Sequence, residues 1–277
     1  MLERIVTALI LVAIVLSCMF ASTSPYPMML LMLLAALGAG YEWFKLMPKQ
    51  QDKGIDLLKA WLTGGVVTLV TFVALFYFQD NVWIVFWLAS LVVWLLSISW
   101  VRRYPEHDGW YNPSLLLMGG LLIISAVTAI FSLWQFSPWW LMYVFLLVWG
   151  ADSGAYFVGR KFGMRKLAPM VSPNKSIEGL LGGLATSGLI IVVVATQWLD
   201  LALLPFLCFM ALSLVTVVAS VQGDLVESMI KRRAGIKDSG RILPGHGGVL
   251  DRVDSLLAAA PVFAAGMFLF NYLGFNL

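Results

Sequence analysis

Apolar residues along this chain come in long unbroken runs, not in the three-to-four or every-other pattern of a soluble helix or strand. Runs of roughly 17–25 apolar residues match the thickness of a bilayer when helical. They predict spans at about Ile5–Phe20, Tyr26–Phe44, Ala60–Phe78, Val82–Val101, Leu115–Trp134, Trp139–Phe157, Gly179–Trp198, Leu201–Gln222 and Leu256–Leu273. Polar and proline-containing joins separate them, as in Ser24-Pro25-Tyr26-Pro27, Gln79-Asp80-Asn81, Asn112-Pro113-Ser114 and Ser137-Pro138. The reading is an all-α polytopic membrane protein with about nine transmembrane helices.

Charge supports that count. The Lys and Arg residues fall in five groups: Arg4; Lys45 to Lys59; Arg102 and Arg103; Arg160 to Lys175; and Lys231 to Arg252. Together they make up all 18 basic residues, and alternating spans put every group on one side. Basic loops mark the cytoplasmic face, so the N-terminus is expected in the cytoplasm and the C-terminus on the opposite side. Composition agrees: 61% of residues are hydrophobic and 12% charged, about half the charge of a typical soluble domain. Cys18 and Cys208 sit in apolar runs without ligand spacing and read as small hydrophobes. A faint lipoprotein-like Val15-Leu16-Ser17-Cys18 is set aside, because the topology needs an uncleaved first helix. Trp83, Trp100, Trp110, Tyr111, Trp139 and Trp140 at span ends suit an interfacial belt.

Chemistry gathers late in the chain. Residues 1–135 read as a chemically plain scaffold; Glu42, beside Trp43 near a span end, reads as snorkelling to the interface, and His107 as a solvated loop residue. Residues 136–277 carry two long polar connections. The second, from Ser228 to Asp254, mixes Lys231, Arg232, Lys237, Arg252, His246, Asp251, Asp254 and several glycines including Gly247 and Gly248. Cations neutralise phosphate oxygens, carboxylates hold a divalent metal, and glycines admit backbone N–H groups to an anion. The competing reading is a solvated loop, basic for topology alone; it does not account for the carboxylates, the glycines or the histidine.

Asp224, Glu227 and Ser228 share a helix face if the eighth span continues beyond Gln222. Ordinary pairing of Asp224 with Lys231 or Arg232 is the structural alternative. Asp251 and Asp254 lie one turn apart at the start of the last span, where helix-dipole stabilisation alone would suit one of them. Upstream, Asp152 lies in apolar sequence, and Ser172, Lys175, Ser176 and Glu178 follow; Ser176 to Gly179 also reads as a plain helix cap. His246 has no partner at zinc-site spacing.

These residues resemble the phosphatidate cytidylyltransferase (CDP-diacylglycerol synthase) family. Ser228, Ile230, Lys231-Arg232, Lys237-Asp238, Gly240, Leu243, Pro244, His246-Gly247-Gly248, Val249, Asp251-Arg252, Val253 and Asp254 fill its long signature without a gap. Asp152, Tyr156, Gly159-Arg160, Ser172-Pro173, Lys175 and Glu178-Gly179 resemble its second region, with Ser176 where the family commonly has threonine. The resemblance implies transfer of the cytidylyl group of CTP to phosphatidic acid, with Mg²⁺ (a second ion, K⁺ among the candidates, left open). It implies a homodimer and a site in the cell inner membrane facing the cytoplasm, with no nucleic-acid partner. Asp224 and Asp251 are expected as metal ligands, assisted by Glu227, Asp254 or Asp152. Lys231, Arg232, Lys237, Arg252, His246, Gly247 and Gly248 are expected around the phosphates, with Ser172, Lys175, Ser176 and Glu178 completing the pocket. A CTP-dependent lipid kinase releasing CDP is the alternative enzyme, and an ion-coupled transporter the alternative of another class.

Overall fold

The computed structural model describes residues 2–47, 56–106, 112–199 and 201–274. Among these, helices account for nearly the whole chain. They are α1 (Leu2–Leu16, running into a π turn over Ser17–Ala21), α2 (Tyr26–Lys45), α3 (Leu57–Tyr77), α4 (Asp80–Arg103), α5 (Asn112–Phe136), α6 (Pro138–Phe162), α7 (Ile177–Gln197), α8 (Leu203–Arg233) and α9 (Leu250–Tyr272). Eight of them are long and apolar enough to cross a membrane, and the first is a shorter apolar helix. Helices satisfy every backbone group internally, which hydrocarbon demands. Each predicted span thus coincides with a helix, with bounds shifted by a few residues at most ends.

The ends matter most. The eighth helix runs on from Gln222 to Arg233, and the ninth begins at Leu250, ahead of the predicted Leu256. Asp224, Glu227, Ser228 and Lys231 are therefore helical, as are Asp251 and Asp254. The join between α6 and α7 is not purely helical or coiled: β1 (Lys166–Ala168) and β2 (Ser172–Ser176) form a small antiparallel hairpin, with Lys166 paired to Ser176 and Ala168 to Ser172. Pro169 and Pro173 cannot extend a helix through this stretch.

Caps set several helix starts. Asp56 accepts from the Lys59 backbone N–H at 3.1 Å, Ser137 from Trp139 at 3.3 Å, and Ser176 from Gly179 at 3.0 Å. Helices α6 and α7 then pack backbone to backbone. A Cβ on Gly182 would overlap Val158, and one on Gly183 would lie 2.7 Å from the Ala151 carbonyl oxygen. Such small-residue contacts are how helices associate without a hydrophobic drive from water. They hold Asp152, on α6, at a fixed place relative to the hairpin and the start of α7.

Two of the expected belt tryptophans are core residues instead. Trp83 is buried and donates its Nε1–H to the Ala74 carbonyl at 2.9 Å, and Trp140 is buried against Tyr143, Phe209 and Phe263. An indole N–H needs a partner away from water, and a nearby helix end supplies it for Trp83. Trp139 is exposed, whereas Trp110, Tyr111 and His107 lie outside the described residues.

Candidate active site

Helices α8 and α9 meet at Gly223. A Cβ there would lie 2.5 Å from the Asp254 carbonyl oxygen, so only glycine permits the approach. Next to it on α8, Asp224 accepts from the Ser228 hydroxyl at 3.1 Å. Its other oxygen lies 2.5 Å from the Lys175 ammonium, which reaches across from the hairpin. Asp152 faces the same lysine and Asp224. Asp224 thus pairs with neither Lys231 nor Arg232.

The next turn of α8 carries Glu227, which is buried, and Lys231. Lys231 forms ion pairs with Glu227 and with Asp251, the latter at 2.8 Å; its side chain is only 12% exposed. Asp254 lies against Glu227 from α9. The carboxylates therefore form a continuous band across three helices: Asp152 on α6, Asp224 and Glu227 on α8, Asp251 and Asp254 on α9. Two ammonium groups, Lys175 and Lys231, are interleaved with it.

The loop between α8 and α9 wraps around Asp251. Its carboxylate accepts from the backbone N–H groups of Gly248 at 2.8 Å and Ser239 at 3.0 Å. Gly235, Gly245 and Gly247 have positive φ, and Leu243 N–H donates to the Gly247 carbonyl at 3.0 Å. A side chain at Gly247 would be strained by its φ of 84° and would meet Asp251. Arg252 donates to the His246 carbonyl at 3.0 Å. Arg232 donates to the Val171 carbonyl at 3.3 Å, tying the end of α8 to the hairpin.

Beside the band opens a cavity of about 560 Å³, lined by Asp152, Tyr156, Arg160, Ser172, Asn174, Lys175, Ser176 and apolar residues including Leu167, Leu180 and Val221. This is the size of a small-ligand site. A second hollow of about 460 Å³, at the other end of α6, is lined by Trp139, Trp140, Tyr143, Val194, Trp198 and Leu199, and so holds no cation or carboxylate. The polar cavity is where charge, hydroxyls and apolar wall coincide.

The profile of the cytidylyltransferase family matches residues 2–270. The chain belongs to that family. It is 43% identical over 267 residues to the phosphatidate cytidylyltransferase of Pseudomonas aeruginosa, covering 95% of both chains. It is 38% identical over 287 aligned positions to the protein of that name from Haemophilus influenzae, covering 95% of this chain and 96% of the relative. The Bacillus subtilis protein of that name is 48% identical over 130 residues, 46% of each chain.

In this family member the sequence-predicted residues divide by position. Asp152, Ser172, Lys175 and Ser176 line the cavity, and Asp224 adjoins it through Lys175. Lys231, Asp251, Gly247 and Gly248 form the loop side of the carboxylate band. Lys237 and Arg252 are exposed beside it, and His246 is half-buried with no hydrogen-bond partner at Nδ1 among the described residues. Glu178 is not among the lining residues. It accepts from the backbone of Met164 and Arg165, both at 3.1 Å, and from the Arg165 side chain at 2.8 Å, clasping the segment ahead of the hairpin.

Glu42 overturns the snorkelling reading. It is completely buried and accepts from the Ser239 hydroxyl at 3.0 Å and the Leu250 backbone N–H at 2.8 Å. Water cannot reach it because α2 packs against the signature loop, with Gly38 against Val249. A carboxylate inside an apolar run is the signal that marks it, since such a group costs several kcal/mol unless it is paired.

The donor set suits a hard divalent cation. Five carboxylates face two ammonium groups, and Oε1 of Glu227 is buried with no hydrogen-bond partner among the described residues. Of the five, Glu227 is buried, Asp224, Asp251 and Asp254 are half-buried and Asp152 is exposed. Carboxylate oxygens are what Mg²⁺ prefers. In this arrangement no three His, Cys, Asp or Glu side chains among the described residues form a ready ligand set; the lysines stand between them.

Proposed function

We propose that this chain transfers the cytidylyl group of CTP to phosphatidic acid, giving CDP-diacylglycerol and pyrophosphate. The observation that carries the reading is the meeting of two acidic helix ends, Asp224–Glu227 and Asp251–Asp254, beside a cavity walled by Lys175, Arg160 and hydroxyls. The names of the relatives support the same substrates.

A phosphate oxygen of the lipid attacks the α-phosphorus of CTP. A new P–O bond forms, the bond from the α-phosphorus to the bridging oxygen breaks, and pyrophosphate takes that electron pair. The lipid phosphate is already an anion near neutral pH, so a strong base is unnecessary. Both substrates are polyanions, so catalysis consists of positioning and charge stabilisation. Lys175 and Arg160 in the cavity offset phosphate charge. Arg232, Lys237 and Arg252 present further cations on the loop side. The Gly247-Gly248 turn brings backbone N–H groups close to the site, one of them committed to Asp251. The apolar wall of Leu167, Leu180 and Val221 suits the acyl end of the lipid.

Asp224, Glu227, Asp251 and Asp254 would hold Mg²⁺, with Asp152 beside them. Such an ion, held by these residues, would supply positive charge to offset that of the phosphates. The one-sided placement of Lys and Arg supports a site facing the cytoplasm, and the bacterial relatives support the inner membrane.

The test is product analysis on membranes carrying the wild type, Asp224→Asn and Asp251→Asn. The wild type is expected to make a liponucleotide from CTP and phosphatidate with release of pyrophosphate. Each variant is expected to lose that activity. Release of CDP in place of pyrophosphate would identify a lipid kinase, and near-normal activity in either variant would remove its carboxylate from the site.

A further inference from the structure

Glu42 belongs to α2, some two hundred residues ahead of the loop it touches. One oxygen, Oε2, takes both contacts: the Ser239 hydroxyl at 3.0 Å and the Leu250 N–H at 2.8 Å. Ser239 lies within the loop and Leu250 is the first residue of α9, where the loop ends. Two glycines are packed on the same carboxylate: a Cβ on Gly240 or Gly248 would overlap it. The backbone N–H groups of Ser239 and Gly248 are the ones that hold Asp251. Glu42 therefore grips both strands of the loop at the points where the loop grips Asp251. Its own burial is complete, and no lysine or arginine ion pair to it is found among the described residues.

A helix start that needs a fixed N–H would ordinarily use a local cap. Val249, at the cap position of α9, has no such side chain, and Glu42 supplies the acceptor to Leu250 from another helix. A local serine would have capped α9 without tying it to anything. The distant carboxylate ties α9, the signature loop and α2 into one unit.

We propose that Glu42 is a positioning residue for cytidylyl transfer: through Ser239 and Leu250 it sets the loop that orients Asp251 and, through Asp251, Lys231. The role rests on the cytidylyl-transfer reading of the site. Glu42 touches no reacting atom; it acts through the loop. Partners one shell out from a metal or phosphate site typically change activity by about 10–100-fold when removed.

The experiment uses the full chain purified in detergent, with Glu42→Ala, Glu42→Gln and Ser239→Ala. Kinetics with CTP and phosphatidate are read alongside hydrogen exchange. Glu42→Ala is expected to lower kcat about 10–100-fold while leaving KM for the lipid unchanged, because the hairpin cavity is held by other elements. Exchange should accelerate over residues 239–250 and stay unchanged in the hairpin, residues 166–176. Glu42→Gln keeps an acceptor oxygen and should restore most of kcat. Ser239→Ala should lower kcat in the same direction, and combined with Glu42→Ala the losses should not add, since both cut the same connection.

Wild-type kcat in Glu42→Ala, unchanged exchange over 239–250, or fully additive losses would each overturn the role. Should Glu42→Ala not fold, Ser239→Ala decides: wild-type kcat with unchanged loop exchange overturns it, and a lowered kcat with faster loop exchange supports it. A wild type that makes no liponucleotide would sink the proposed reaction, yet the exchange comparison would still decide whether Glu42 holds the loop.

Discussion

Lys231 on α8 donates to Asp251 on α9 across 2.8 Å, and this contact joins the two helix ends on which the proposed chemistry depends. The same ammonium pairs with Glu227 one turn back on its own helix. A buried lysine between two carboxylates supplies positive charge where negative charge is in excess. It also holds Asp251 at an angle that lets Ser239 and Gly248 complete its hydrogen bonds.

Removing that lysine is therefore expected to cost stability as well as activity. Lys231→Met leaves Glu227 and Asp251 without their counter-charge, a loss of about 3–5 kcal/mol for a buried pair broken on one side. The double variant Glu227→Gln/Lys231→Met removes both charges of one pair and should regain much of that stability. Thermal unfolding in detergent checks the first expectation. Liponucleotide synthesis, expected to remain absent in both variants, checks that the lysine serves more than folding.

Lys175 should behave in the opposite way. Its pair with Asp224 has both side chains more than a quarter exposed, so Lys175→Met should cost no more than about 1 kcal/mol of stability. Activity should nonetheless fall steeply, because this cation lines the cavity beside Asp152. A shift in melting temperature as large as that of Lys231→Met would contradict this assignment.

Gly248→Ala tests the loop sterically. The added methyl would overlap Glu42 and Ser239 in a buried spot, and overpacking of this kind costs about 1–3 kcal/mol. The variant should lose activity without loss of any charged or hydrogen-bonding side chain. Pairing it with the smaller Glu42→Asp should recover part of the loss, read as the double variant against each single one.

Ser176→Ala probes the cap of α7. Its hydroxyl oxygen accepts from Gly179 and packs between Gly159 and Gly163. The loss is expected at about 0.5–2 kcal/mol, and Ser176→Thr should retain most of the cap, since the hydroxyl is kept. Chemical or thermal unfolding of the three proteins side by side gives the comparison.

Divalent-ion removal should act on both function and stability. Chelation is expected to abolish liponucleotide synthesis, and added Mg²⁺ to restore it. Saturating Mg²⁺ should also raise the melting temperature of the wild type, since an ion at a hundred times its dissociation constant contributes about 2.7 kcal/mol. In Asp224→Asn that rise should shrink. An equal rise in both proteins would mean that the ion binds elsewhere.

The span pattern, the one-sided placement of Lys and Arg, and the concentration of carboxylates and glycines after Asp152 were all legible along the chain, because each is a local property. Hydrocarbon thickness alone dictates apolar runs of the observed length, and residues one turn apart, such as Asp224 and Ser228, must share a helix face. What the order of residues could not decide is which distant groups meet. Lys175 as the partner of Asp224, Trp83 turned into the core, and Glu42 gripping Ser239 and Leu250 all follow from how the helices pack. Glu42 shows the physical reason: near a span end, a carboxylate is equally consistent with reaching water and with burial, and only the arrival of a loop some two hundred residues later removes the water and provides the two donors.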